Sequence, residues 1–275
     1  MSQRHSPSTS PFGLARSLRD NRHLIVVLTK REVLGRYKGS AMGLLWSFLY
    51  PLLMLAVYTF VFSVVFKARW PSGQGSKTEF ALVLFTGLMV FGMFSDCVNR
   101  APGIILNNVN YVKKVVFPLE ILPVVSLLSA LFHLFVSVVV WTIFYLISFG
   151  LPPVTGLLLP VVLAPLVLLT LGISWLLASL GVYLRDVSQV VGVVTTVLLF
   201  MTPIFYAMET LPETYWPLMR ANPLTMVITQ ARDVMIWGRG LDFASWLIAM
   251  AVGGLVAWAG YAWFQSTRKG FADVL

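Results

Sequence analysis

The chain has 275 residues, of which 58% are apolar and only 11% charged, and its 20 Lys and Arg outnumber 11 Asp and Glu for a net charge of +9. Soluble globular domains carry about 25% charged residues, so this composition excludes an ordinary water-soluble fold. The positive charges punctuate long uncharged runs instead of following one face, which excludes nucleic acid as a partner, and the single cysteine, Cys97, excludes an internal disulfide.

In residues 12–37, Leu14, Leu18, Leu24, Ile25, Leu28 and Val33 alternate with Arg16, Arg19, Arg22, Lys30, Arg31 and Arg36. The apolar run 24–28 is too short to cross a bilayer. The segment is predicted as a basic amphipathic helix at the membrane surface, its cations meeting anionic headgroups. It serves as a plain anchor or as a docking face for a cytoplasmic partner. A cleaved signal peptide fits poorly, because the first long apolar run exceeds a signal core of about 7–15 residues.

A hydrocarbon core of about 30 Å takes about 20 apolar residues in a helix. Lys38 and Lys67 enclose 28 uncharged residues, the first span. Residues 80–95 are uncharged, and the pattern runs past Asp96 to Val98 as a second, shorter span. Asp96 and Arg100 stand four apart, a spacing at which they pair on a helix near the boundary. Residues 121–184 contain no Asp, Glu, Lys or Arg over 64 positions, and Gly150, Pro152, Pro153 and Gly156 cut this run into a hairpin of spans three and four. Residues 187–208 and 243–267 give spans five and six. The expectation is an all-α integral membrane protein with six transmembrane helices. It divides into a cytoplasmic segment with an interfacial helix (1–43), a six-helix domain (44–267) and a cytoplasmic tail (268–275). Counted loop by loop, 14 Lys and Arg fall on the side of the N-terminus and six on the other, so both termini are predicted to be cytoplasmic.

Two loops carry further information. Residues 107–120 form a short amphipathic cytoplasmic loop with Tyr111, Lys113, Lys114, Phe117, Pro118 and Glu120. Residues 209–242 form an outward loop of 34 residues whose Trp216, Met226, Met235 and Trp237 favour short re-entrant helices between spans five and six. Along the first span, Trp46, Tyr50, Met54, Tyr58, Phe62 and Phe66 recur every fourth residue. Each step advances about 400° round an α-helix, so the row winds and cannot be a straight lipid-facing stripe. Aromatic rings present faces to the CH surfaces of sugars while phenol hydroxyls meet sugar hydroxyls, so part of this row is read as the lining of a path.

Two other classes are weighed on the same residues. An ion-coupled carrier needs ionisable groups deep in a span, and His133 is the candidate. An enzyme acting on lipid-linked sugar needs paired carboxylates, and Glu209 and Glu213 stand one turn apart. Both readings give way to structural roles. No G-x-x-x-x-G-K-[ST] phosphate loop occurs, so the chain lacks the usual backbone cradle for ATP.

Six ordered blocks carry a family resemblance over residues 24–275. Lys30-Arg31-Glu32 with Arg36-Tyr37-Lys38-Gly39-Ser40-Ala41-Met42-Gly43-Leu44-Leu45-Trp46 and Pro51 is one, and Lys113-Lys114-Val115-Val116-Phe117-Pro118-Leu119-Glu120-Ile121-Leu122-Pro123 is another. Tyr183-Leu184-Arg185-Asp186-Val187, Thr202-Pro203-Ile204-Phe205-Tyr206, Asn222-Pro223-Leu224-Thr225 and the tail Arg268-Lys269-Gly270-Phe271-Ala272-Asp273-Val274-Leu275 complete the set. Together they resemble bacterial ABC-2 type polysaccharide exporter permeases, and the Gly-Leu-Leu-Trp wording and the tail lean toward the O-antigen branch. The resemblance implies a homodimer in the bacterial inner membrane with two copies of a separate subunit that binds ATP and Mg, and no cofactor in this chain. The cargo it implies is undecaprenyl-diphosphate-linked polysaccharide. It places ATPase coupling on Arg31, Arg36, Tyr111, Lys113, Lys114, Phe117, Pro118 and Glu120. The substrate path is expected along Trp46, Tyr50, Tyr58 and Phe62, joined by Phe200, Phe205 and Tyr206.

Overall fold

A computed structural model describes residues 10–65, 70–71, 77–113 and 117–275. Ser10 caps α1 (Pro11–Asp20), its hydroxyl accepting from the Phe12 amide at 3.3 Å. The helix breaks at Asn21, whose side-chain amide donates to the Ser17 carbonyl at 2.8 Å, and resumes as α2 (Arg22–Gly35). The one surface helix expected over 12–37 is therefore two. Ile25 and Leu28 of α2 are buried against Ile121 and Val125, which docks the segment on the bundle while Val26 and Val27 stay exposed.

The first span is α3 (Trp46–Tyr58), continued by a π-helical stretch, Thr59–Val65. Buried Pro51 lies inside α3, where it removes one backbone donor. Next comes α4 (Lys77–Arg100), the central helix: 78% of its most apolar stretch is buried within the chain, against 17% for α3. A single turn, α5 (Val109–Val112), lies in the following loop. The expected hairpin is present as α6 (Ile121–Phe149) and α7 (Leu159–Tyr183), turned through Gly150 at φ +85°, a conformation open to glycine.

The fifth expected span is shorter than its uncharged run. Helix α8 (Val187–Met201) stops where Pro203 pushes Thr202 into an extended conformation with φ −103° and ψ 138°. Two short helices follow, α9 (Trp216–Ala221) and α10 (Pro223–Met235), the latter capped by the Asn222 side chain, which accepts from the Leu224 amide at 3.0 Å. The last crossing helix, α11 (Phe243–Thr267), has the predicted bounds and leads to a closing turn, α12 (Phe271–Val274). Among the described residues, five helical stretches are long and apolar enough to cross a membrane. Helix α8 has 15 residues; at 1.5 Å per residue it reaches about 22 Å, less than the thickness of the hydrocarbon core.

Helices α7 and α11 meet backbone to backbone. A β-carbon on Gly172 would stand 2.3 Å from the Val256 carbonyl oxygen, and one on Gly253 would stand 2.6 Å from that of Pro165. Small residues permit this approach, which supplies packing where lipid removes the usual hydrophobic drive. Several hydroxyls within the spans close on their own helices. Thr59, Thr86, Thr142, Thr170 and Ser137 donate to the carbonyls of Leu55, Leu82, Val138, Leu166 and His133, each four residues back, at 2.6–3.0 Å.

Candidate transport path and coupling face

Helices α3, α4 and α6 enclose a cleft of about 820 Å³. Trp46, Tyr50 and Tyr58 line it from α3, facing Met89 and Asp96 of α4 and His133 of α6. Its walls are mostly aromatic and aliphatic, and its two charged residues, Arg36 and Asp96, lie where α2 meets the bundle. There Arg36 forms an ion pair with Asp96, and Arg100 bonds both Glu32 and, at 3.5 Å, Asp96. The Asp96–Arg100 pair expected from spacing is thus one edge of a four-residue cluster that ties α2 to α4. The Tyr37 hydroxyl lies 3.4 Å from His133 Nδ1, and burial raises the Tyr37 pKa. The Nε2 of His133 has no hydrogen-bond partner among the described residues.

The remaining aromatic residues expected on the path form a second group. Phe62 stacks on Phe80 at 5.9 Å and on Phe205 at 5.8 Å, and Phe205 stacks on Phe200 at 5.6 Å. Tyr206 turns back, its hydroxyl donating to the Phe200 carbonyl at 2.8 Å. The winding row divides in space: Trp46, Tyr50, Met54 and Tyr58 line the cleft, and Phe62 joins the stack with Phe205 and Phe200; Phe66 lies outside the described residues.

On the loop side, Tyr111 and Phe117 stack at 4.2 Å with their rings nearly parallel, and the Arg31 guanidinium lies 6.0 Å from the Tyr111 ring. Pro118 opens the turn into α6, its carbonyl accepting from the Ile121 amide at 3.1 Å. Lys113 is exposed, and Lys114 lies outside the described residues. Glu120 is buried: its carboxylate accepts from the Ser17 hydroxyl at 2.7 Å and from Arg268 at 2.7 Å. Arg268 also donates to the Phe117 carbonyl at 2.9 Å, and the Trp175 indole donates to the Glu120 carbonyl at 2.9 Å. The Glu120 carboxylate joins α1 and the end of α11 to the loop, and its backbone carbonyl adds α7. Of the charged residues expected at the coupling face, Arg31 and Lys113 are exposed, whereas Arg36 and Glu120 pair within the chain.

Sequence reasoning missed Arg232, counted as an outer-loop charge but only 4% exposed. The signal was available, since Arg232 lies four residues after Ile228 and eight after Leu224, on the buried face of α10. Glu209 and Glu213 are exposed in short turns.

Residues 23–236 match the ABC-2 type transporter family, a stretch running from α2 to just past α10. The chain belongs to the ABC-2 type transporter family. This permease is 30% identical over 262 residues to the O-antigen export system permease protein RfbA of Myxococcus xanthus, covering 94% of this chain and 98% of the relative. It is 28% identical to an RfbA of Klebsiella pneumoniae over 254 residues, with 92% and 95% covered. The polysialic acid transport protein KpsM of Escherichia coli is 24% identical over 217 residues, with 78% and 81% covered. Like these relatives, the permease is a membrane subunit and not itself an enzyme.

Proposed function

We propose that this permease exports undecaprenyl-diphosphate-linked polysaccharide, O-antigen in particular, across the bacterial inner membrane, as a homodimer driven by two copies of a separate ATP-binding subunit. The observation that carries this reading is 30% identity to an O-antigen export permease over 94% of the chain. A capsular polysaccharide is the second reading, supported by the lower, 24% identity to KpsM.

The cleft agrees with such a cargo. A long polymer must bind weakly at many points, and aromatic walls give each hexose a face to rest on without fixing it. Only 17% of the apolar stretch of α3 is buried, so a second copy facing that helix would close the cleft into a conduit. On this reading α8 with residues 202–206 completes a sixth crossing, α9 and α10 are re-entrant, and both termini face the cytoplasm. The partner subunit docks on α1, α2 and the loop at Lys113, with Lys114 beside it. Its strokes reach the spans through Glu120 and the Glu32–Arg36–Asp96–Arg100 cluster.

Deleting the coding sequence in the native cell tests the proposal. The expected outcome is loss of surface polysaccharide with lipid-linked glycan accumulating on the cytoplasmic side, reversed by the intact chain. Unchanged surface glycan, or accumulation of a different lipid-linked species, would refute the assigned cargo.

A further inference from the structure

Arg232 is the one arginine of α10, and it points its charge into protein instead of water or a carboxylate. Its Nε donates to the Val83 carbonyl of α4 at 3.1 Å, one terminal nitrogen to Pro203 at 2.6 Å and the other to Ile204 at 2.9 Å. The guanidinium carbon sits 4.6 Å from the centre of the buried Trp70 ring. Among the described residues no carboxylate forms a salt bridge with it. Gly87 makes the room, because a β-carbon there would stand 2.8 Å from the Arg232 terminal nitrogen.

The acceptors explain what this arrangement does. Pro203 and Ile204 follow Thr202 where the chain leaves α8, and the next residue is Phe205, the centre of the aromatic stack. Pro203 and the extended Thr202 leave this stretch without helical hydrogen bonds of its own, so its carbonyls need a donor at membrane depth. A planar fork of fixed N–H groups bonds acceptors on two segments at once, which a lysine ammonium on a flexible stem cannot reproduce.

We propose that Arg232 is a positioning residue for export: by holding the two carbonyls before Phe205 against α4, it sets Phe205 between Phe62 and Phe200. The inference rests on the reading of that stack as part of the sugar path. Its geometric half can be tested without that reading.

The measurement uses the assembled transporter in native membranes, in a Cys97→Ala background that removes the chain's single cysteine. Cysteines replace Phe62 and Phe205 as one pair, and Ser179 and Thr267 as a control pair whose hydroxyls lie 2.6 Å apart between α7 and α11. A short bifunctional thiol reagent is applied with Arg232 intact and with Arg232→Met. Loss of charge-assisted hydrogen bonds is expected to lower cross-linking of the Phe62→Cys/Phe205→Cys pair by about tenfold while the control pair is unchanged. An unchanged yield for the test pair overturns the proposal. So does equal loss of both pairs, which makes Arg232 a residue of the whole fold. Separately, Arg232→Met alone should lower surface polysaccharide at equal membrane abundance. If Phe205→Ala exports normally while the cross-linking result holds, the path reading fails and the positioning by Arg232 stands.

Discussion

Gly260 of α11 lies so close to Gly172 of α7 that a β-carbon on Gly260 would stand 2.0 Å from the Gly172 carbonyl oxygen. Gly260→Ala must therefore push the α7 and α11 backbones away from each other, at a cost of about 1–3 kcal/mol for an overpacked contact. Gly254, one residue from the tight Gly253, has nothing within 4 Å of a built β-carbon, so Gly254→Ala should be neutral. Membrane abundance and thermal unfolding in detergent read the difference. Equal stability of the two variants would remove the close α7–α11 contact.

Glu120 and Arg268 should behave as a couple. Breaking a fully buried ion pair leaves an uncompensated charge and costs about 3–5 kcal/mol; with 26% of the Arg268 side chain exposed, the cost here falls below that range. Arg268→Met should therefore lower permease abundance sharply, whereas Glu120→Gln with Arg268→Met should recover some of it. A double variant no better than the single would mean that Arg268 acts through Phe117 or elsewhere.

Replacing Tyr58 and Phe62 together by Ala touches both aromatic groups. Export should fall by more than protein abundance or binding of the ATPase falls. The measurement is surface glycan per inserted permease, and a normal ratio takes span one out of the path.

Lys113 is exposed, as docking of the partner subunit on this loop requires. Reversing Lys113 and Lys114 to Glu should leave the permease inserted while ATP hydrolysis by the partner no longer yields export. Undiminished export would leave these lysines as topology signals.

The orientation is checked by reporters active only in the cytoplasm. Fusions after Leu275 or in the loop at Lys113 should be active, and a fusion at Glu213 silent. Activity at Glu213 reverses the assignment.

Much of this architecture is legible one residue at a time. A charge-free run of adequate length is enough to mark α11, because nothing but lipid or protein can solvate it, and its predicted bounds coincide with the helix. The same reasoning overruns α8, because absence of charge does not stop a helix and Pro203 does. Reading Arg232 as a solvated loop charge misses its burial for a related reason. A loop of mixed polarity is assumed wet, but α10 carries its arginine on the buried face, where backbone carbonyls replace water. Contacts such as Glu120 with Arg268, 148 residues apart, leave no trace in local pattern. The aromatic recurrence in span one is visible in sequence. Its division into a cleft group and a stack depends on where α8 ends, which the spacing within α3 cannot report.

The hydroxyls of Thr59, Thr86, Thr142, Thr170 and Ser137, each closed on its own helix, give the bundle smooth slip planes. A helix whose polar atoms are already satisfied can roll or slide past its neighbour without exchanging a hydrogen bond, so its resistance to motion comes from shape alone. Friction then concentrates where side chains reach across, among them Arg36 on Asp96, Ser179 on Thr267, Arg268 on Glu120 and Arg232 on the chain before Phe205. On the proposed function, a stroke delivered to the cytoplasmic end would move what such rivets hold and glide past the rest.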